Sequence, residues 1–286
     1  MIGFIGLGTM GAPMCRNLVM RSGEKVMGYD ENPERLEHAR QRGVEAASSV
    51  REVAEHCTVV FLSLPGAREV KTVCVGPGSL LLHMRAGTYV ADLSTTTVAL
   101  ARELSSRFEA RGIHFADAPV ARTREAAEKG TLSIMVGGSE ALFRRLRPLL
   151  AHMGTDIAHC GASGAGQATK LINNMVLFQN VVALAEALAL ARKSGLSGEK
   201  LFETLTKGSA DSFALRNHGM KALLADSFPE RAFPVEYALK DMEYLLEFAA
   251  QAGLDLKGAK NAMAALERAA VAGNRKKYWP VILKTI

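Results

Sequence analysis

Gly3-Phe4-Ile5-Gly6-Leu7-Gly8-Thr9-Met10-Gly11 starts as an apolar run, breaks into a Gly-x-Gly-x-x-Gly turn and passes into a helical pattern through Asn17-Leu18-Val19-Met20. Strand, glycine turn and helix in that order suit a dinucleotide. The missing side chains at Gly6 and Gly8 permit the turn and a close backbone approach to a pyrophosphate, while amides at the helix start face the anion. Gly6, Leu7, Gly8, Thr9, Met10 and Gly11 are therefore candidate cofactor contacts. Asp30 ends the second expected strand about 20 residues on, where a carboxylate accepts hydrogen bonds from ribose hydroxyls. A carboxylate there repels a 2′-phosphate, which favours NAD(H). Arg35 stands close enough in sequence to offset that repulsion, so NADP(H) stays open.

Outward from this turn, short β-rich runs alternate with amphipathic segments. Ile2–Ile5, Lys25–Tyr29, Thr58–Leu62, Thr88–Asp92 and Leu132–Val136 read as strands, and the alternation predicts a parallel sheet with helices on both faces. Leu64-Pro65 and Ser94-Thr95 follow two of these strands, at the carboxyl edge where open α/β sheets bind ligands. Leu64, Pro65 and Thr95 thus join the cofactor candidates. Beyond Gly166 the strand signal nearly vanishes, and helical spacing runs through Lys170–Lys193, Glu199–Thr206, Glu236–Gln251 and Lys257–Ala272. The expected architecture is an α/β Rossmann domain over residues 1–162 and an all-α domain over 163–286. The Gly161–Gly166 stretch is the boundary, followed directly by a long interdomain helix.

Composition narrows the function classes. The chain has 286 residues, 48% hydrophobic and 22% charged, which excludes disordered, collagenous and membrane-spanning classes. A net charge of +6 raises the question of an anionic partner. Arg275-Lys276-Lys277 is the one dense basic run and is short, so nucleic acid and membrane are not expected partners. The four cysteines, Cys15, Cys57, Cys74 and Cys160, are scattered without metal-ligand spacing, which predicts free thiols and no metal site. With no basic leader or cleavage pattern at the start, the expected location is cytoplasmic.

Two further constellations carry chemistry. Lys170, Asn173, Asn174 and Leu177 share one stripe of the long helix, where a lysine and two amides in an apolar sequence require polar partners. One reading is an exposed polar face; the other is a lysine beside the nicotinamide, passing a proton to or from a substrate oxygen that Asn174 orients. The segment Asp117-Ala118-Pro119-Val120-Ala121-Arg122-Thr123-Arg124 reads as a loop because of Pro119 and its small residues. Arg122 in it is either a solvated surface arginine or a bidentate clamp for an oxyanion.

Taken together, Gly3 to Met14, Asp117-Ala118-Pro119-Val120, Gly130-Thr131-Leu132-Ser133-Ile134-Met135-Val136-Gly137-Gly138, Lys170-Leu171-Ile172-Asn173-Asn174 and Lys240-Asp241 resemble the β-hydroxyacid dehydrogenases, which include 3-hydroxyisobutyrate dehydrogenase and tartronate semialdehyde reductase. The resemblance covers essentially the whole chain. It implies Lys170 as catalytic acid/base, Asn174 as its substrate-orienting neighbour and Lys240 approaching the nicotinamide end. It also implies a substrate segment of Ala121, Arg122 and Thr123 with Asn173 and Asn174, Glu69 as a weaker cofactor candidate, and a homodimer or homotetramer.

Many members carry Ser-Gly-Gly where this chain has Ala121-Arg122-Thr123. The added guanidinium is similar to the loop of sulfolactaldehyde reductase, although Ala121 and Arg124 replace that loop's outer residues and Leu177 stands where that relative has a serine. A small anionic substrate with a sulfonate, phosphonate or carboxylate head group is expected. Alternatives are an ordinary 3-hydroxy carboxylic acid dehydrogenase, a non-catalytic cofactor-binding scaffold and an imine reductase on the same framework.

Overall fold

The computed structural model describes residues 1–230 and 232–286. Contacts divide them into two compact units, Met1–Lys170 and Leu171–Ile286.

The first unit is built on strands β1 (Ile2–Ile5), β2 (Val26–Tyr29), β3 (Glu45–Ala46), β4 (Val59–Leu62), β5 (Tyr89–Asp92), β6 (His114–Asp117), β7 (Val120–Ala121), β8 (Leu132–Gly137) and β9 (Gly154–Gly161). They lie in the order β3-β2-β1-β4-β5-β6-β8-β7, with β9 on β8. From β3 to β6 every pairing is parallel. β1 and β4 are buried at every position, as strands covered on both faces must be. Their alternation feeds two cores. Phe4 and Phe61 pack on one face with Leu18, Ile134 and Leu146, while Ile5 and Leu62 pack on the other with Val70, Leu104 and Phe115.

Two expectations need correction. The sheet is not wholly parallel, because β8 runs antiparallel to β6 and to β7 before β9 pairs parallel to it. The stretch expected as a loop from Asp117 is instead the end of β6, a short break at Ala118-Pro119, and β7. Pro119 lacks a donor, but its carbonyl accepts the Met135 N–H at 3.1 Å, so the chain stays on the sheet through the break.

Helix starts in this unit use side-chain caps: Asn32, Ser49, Thr97, Thr123 and Ser139 each accept a backbone N–H of the following turn. Such a cap typically contributes about 1 kcal/mol.

The second unit is helical. It takes the long helix Ala165–Lys193 from Leu171 onward, then Gly198–Leu205, a wide-turn helix Leu215–Leu224, Val235–Gln251, Lys257–Ala269 and a closing 3-10 segment Trp279–Thr285. The long helix has the length and hydropathy to cross a bilayer, yet Phe178, Val181, Ala185 and Leu188 on it are buried. Phe178 meets Trp279 edge-on at 4.7 Å, so the chain's single tryptophan is a packing residue. Tyr278 Oη lies 2.6 Å from His218 Nδ1, and burial lowers His218 to about 4, which keeps the imidazole neutral near neutral pH.

Cys15, Cys57 and Cys74 are buried and Cys160 half-buried, all as free thiols. Burial pushes Cys15 and Cys57 up to about 12, which makes them core residues rather than nucleophiles.

Candidate active site

The glycine turn leaves β1 at Gly6, whose φ of +95° is a conformation L side chains rarely adopt. A Cβ at Gly6 would strike the Ser63 carbonyl, and one at Gly11 would strike the Gly6 carbonyl. Gly8 differs: the nearest atom to a Cβ there is the tip of Arg35, at 3.7 Å. Protein packing requires Gly6 and Gly11 but leaves the space over Gly8 clear. That clear cradle at a helix start fits a pyrophosphate.

Asp30 closes β2 with both oxygens in use. Oδ2 accepts the Leu7 N–H at 2.7 Å and Oδ1 accepts the Asn32 N–H at 2.8 Å, so the carboxylate shapes the glycine turn itself. Each oxygen keeps a further lone pair for a ribose hydroxyl. Arg35 approaches Asp30 Oδ1 at 3.8 Å from an exposed position.

Along the same carboxyl edge, Ser94 Oγ accepts the Leu64 N–H at 2.9 Å, which ties the Leu64-Pro65 turn after β4 to the Ser94-Thr95 turn after β5. These turns also receive the start of the long helix. Gln167, fully buried, accepts the Thr96 N–H at 3.0 Å through Oε1 and donates to the Ser94 carbonyl at 2.8 Å through Nε2. Asp117, also fully buried, accepts the Gly164 and Gln167 N–H groups at 2.8 Å each. Burial raises the Asp117 carboxyl, and the backbone N–H groups around it oppose that rise. Gly137 and Gly166 lack side chains where a Cβ would press on Asp117.

Lys170 follows Gln167 by three residues on this anchored helix. Neither Asp117 nor Gln167 was assigned a role from sequence. Their partners are backbone groups that only the topology brings near, although a glutamine opening an apolar helix was a signal available in the sequence.

In the helical unit, Asn174 Nδ2 donates to Asp241 Oδ2 at 2.7 Å, and Asn173 Nδ2 donates to Asn174 Oδ1 at 3.2 Å. Lys240 Nζ pairs with Asp241 Oδ1 at 3.0 Å and lies 5.0 Å from the centre of the Tyr244 ring. Asn174 and Asp241 are buried, so the carboxylate fixes which end of the amide faces it, while Lys240 balances the charge. Asp241 is the residue that sequence reasoning quoted in a motif without giving it a task. Its place between Ala238 and Leu245 on the buried stripe of Val235–Gln251 was the readable sign.

The segment after β7 holds three neighbours in different states. Ala121 ends the strand, and Thr123 caps the helix Arg124–Lys129. Arg122 between them has φ +86°, one of two non-glycine residues with positive φ among those described. That conformation costs an L residue about 1 kcal/mol or more. Its guanidinium is held by three partners. Nη1 donates to the Thr131 carbonyl at 2.6 Å and to Thr155 Oγ1 at 3.3 Å, and Nη2 pairs with Asp156 Oδ2 at 2.7 Å.

The chain matches the family described as the NAD binding domain of 6-phosphogluconate dehydrogenase over residues 1–161. It matches the NAD-binding domain of NADP-dependent 3-hydroxyisobutyrate dehydrogenase over 164–283. It is 38% identical over 246 residues to 2-(hydroxymethyl)glutarate dehydrogenase of Eubacterium barkeri, covering 86% of this chain and 81% of the relative. A probable 3-hydroxyisobutyrate dehydrogenase of Mycobacterium tuberculosis is 41% identical over 217 residues, 76% of this chain and 72% of that one. The structure of M. tuberculosis 3-hydroxyisobutyrate dehydrogenase with L-serine superposes with a TM-score of 0.90 at 34% identity, covering 99% of this chain and 98% of that one. With this cofactor cradle and helical second unit, the chain belongs to the β-hydroxyacid dehydrogenase family, in its 3-hydroxyisobutyrate dehydrogenase type, and is an NAD(P)-dependent dehydrogenase of hydroxy acids.

Proposed function

We propose that the enzyme interconverts a small acidic carbonyl compound and its hydroxy acid, with Lys170 as general acid/base and the Ala121-Arg122-Thr123 segment taking the acidic head group. The observation that carries this reading is the anchoring of the long helix. Gln167 is bonded at both ends of its amide to the Ser94–Thr96 turn of the cofactor edge, and Lys170 follows it on the same helix.

When bound, the nicotinamide gives or takes a hydride at the reacting carbon. Lys170 as an ammonium protonates the substrate oxygen during reduction, and as a neutral amine accepts the hydroxyl proton during oxidation. Asn174, its amide orientation set by Asp241, holds that oxygen, and Asn173 supports Asn174. Lys240 adds positive charge beside Asp241. Holding head group and reacting oxygen together supplies the orientation from which such enzymes gain much of their rate.

The names of two relatives support a carboxylate with a neighbouring primary alcohol. 2-(Hydroxymethyl)glutarate and 3-hydroxyisobutyrate each carry a CH2OH group on the carbon bearing a carboxylate. Arg122 adds a second reading of the head group, a sulfonate or phosphonate as in the loop of sulfolactaldehyde reductase, because a guanidinium suits all three anions. NAD(H) is the preferred cofactor on the strength of Asp30 and its neighbour Glu31, whose charges oppose a 2′-phosphate. The assembly is a homodimer or homotetramer.

The test is NAD+ and NADP+ reduction with short 3-hydroxy acids. Turnover with at least one of them, faster with NAD+, is expected. Cofactor binding without turnover of any 3-hydroxy acid or of the matching hydroxy sulfonates and phosphonates would instead make the protein a scaffold.

A further inference from the structure

We propose that Asp156 is a specificity-determining residue that restricts the head group to a single negative charge. The inference rests on the reading of Ala121-Arg122-Thr123 as the substrate segment and adds a selectivity to it. A lone arginine at such a site favours a dianion over a monoanion, since attraction scales with ligand charge. Here Arg122 is not alone, because Asp156 pairs with it at 2.7 Å. The Thr155 hydroxyl also donates to Asp156 Oδ2, at 2.8 Å. These two partners, Thr155 and then Arg122, hold the Asp156 carboxyl below its ordinary range, so it is charged wherever the enzyme works.

On the helix that follows, Arg124 pairs with Glu128 and Lys129 with Glu125, and Arg16 and Arg21 reach its far end through the Glu128, Lys129 and His152 carbonyls, so Asp156 is the carboxylate that acts directly on Arg122. An incoming anion meets a guanidinium whose charge is already offset and a carboxylate that repels it. Asp156 therefore repels a dianion about twice as strongly as a monoanion. At a backbone φ of +86°, the Arg122 guanidinium meets Thr131, Thr155 and Asp156.

Three probes of matched length separate charge from shape: 3-hydroxypropanoate, 2-hydroxyethanesulfonate and 2-hydroxyethylphosphonate. Each is titrated into the NAD+-loaded enzyme by calorimetry, above the second ionisation of the phosphonate, for wild type, Asp156→Asn, Arg122→Gly and the double variant. Arg122→Gly relieves the left-handed backbone, so it is a folded control. Wild type should bind the two monoanions more tightly than the phosphonate.

Asp156→Asn should tighten the phosphonate by about tenfold or more and the monoanions by about threefold, a ratio that follows ligand charge. Arg122→Gly should weaken all three probes, and the gain from Asp156→Asn should persist on that background for the phosphonate, since repulsion acts on the ligand directly. A purely structural role for Asp156 would change the three probes alike, and that result overturns the proposal while leaving the substrate segment in place. If Arg122→Gly leaves all three affinities unchanged, the reading of the segment fails and the proposal fails with it.

Discussion

The glycine turn after β1 and the Ala121-Arg122-Thr123 segment after β7 both rely on one residue with positive φ, Gly6 at +95° and Arg122 at +86°. At Gly6 the surroundings forbid a side chain, because the Ser63 carbonyl fills the space, and glycine takes the conformation without strain. At Arg122 a long side chain is present, the backbone is strained, and the guanidinium is tied to three partners. The first turn serves a ligand shared by all dinucleotide enzymes and is built from what is missing. The second is built around a side chain that is present, a long one held in a conformation that favours glycine.

The comparison can be broken at either region. The largest effect is expected at Gly11→Ala, where a Cβ collides with the Gly6 carbonyl inside the turn. Cofactor affinity measured by fluorescence titration should fall by about two orders of magnitude, with a lower Tm. Next is Gln167→Ala, which strands the Thr96 N–H and the Ser94 carbonyl and loosens the helix that bears Lys170. kcat should fall roughly tenfold to a hundredfold with little change in cofactor Kd. Chemical denaturation should show a loss of about 1–3 kcal/mol.

Gly8→Ala sharpens the contrast, because nothing in the protein fills the position a Cβ would take. Tm should hold while cofactor Kd weakens about tenfold; a fall in Tm with Kd intact would make Gly8 a packing residue. The smallest effect is on the stability of Arg122→Gly. Relief of the left-handed backbone offsets the lost exposed ion pair, and denaturation should show a change within about 1 kcal/mol.

How much was legible differs between these regions for physical reasons. β1, β2, β4 and β5 declare themselves as apolar runs because both faces are largely buried, and β8 does so with its alternate positions Ser133 and Met135 partly exposed. β9 does not, since Gly154–Gly161 is largely exposed at a sheet edge, and β3 and β7 are only two residues long. The antiparallel turn of β8 follows from pairings with β6 and β7 that no local pattern encodes. The same limit hides the partners that orient the chemistry. Gln167 with Ser94 and Thr96, Asp117 with Gly164, and Arg122 with Asp156 are each joined across many residues of chain. Spacing along one helix, by contrast, is written in the sequence, and Lys170 and Asn174 could be grouped on that basis alone.

The account turns on Lys170. The most direct measurement is kcat of Lys170→Ala on a 3-hydroxy acid that the wild-type enzyme oxidises, with cofactor Kd measured on the same preparation. The expected result is a loss of about two orders of magnitude or more in kcat with Kd unchanged, in line with the removal of a general acid/base. A variant that turns over at the wild-type rate would contradict the assignment.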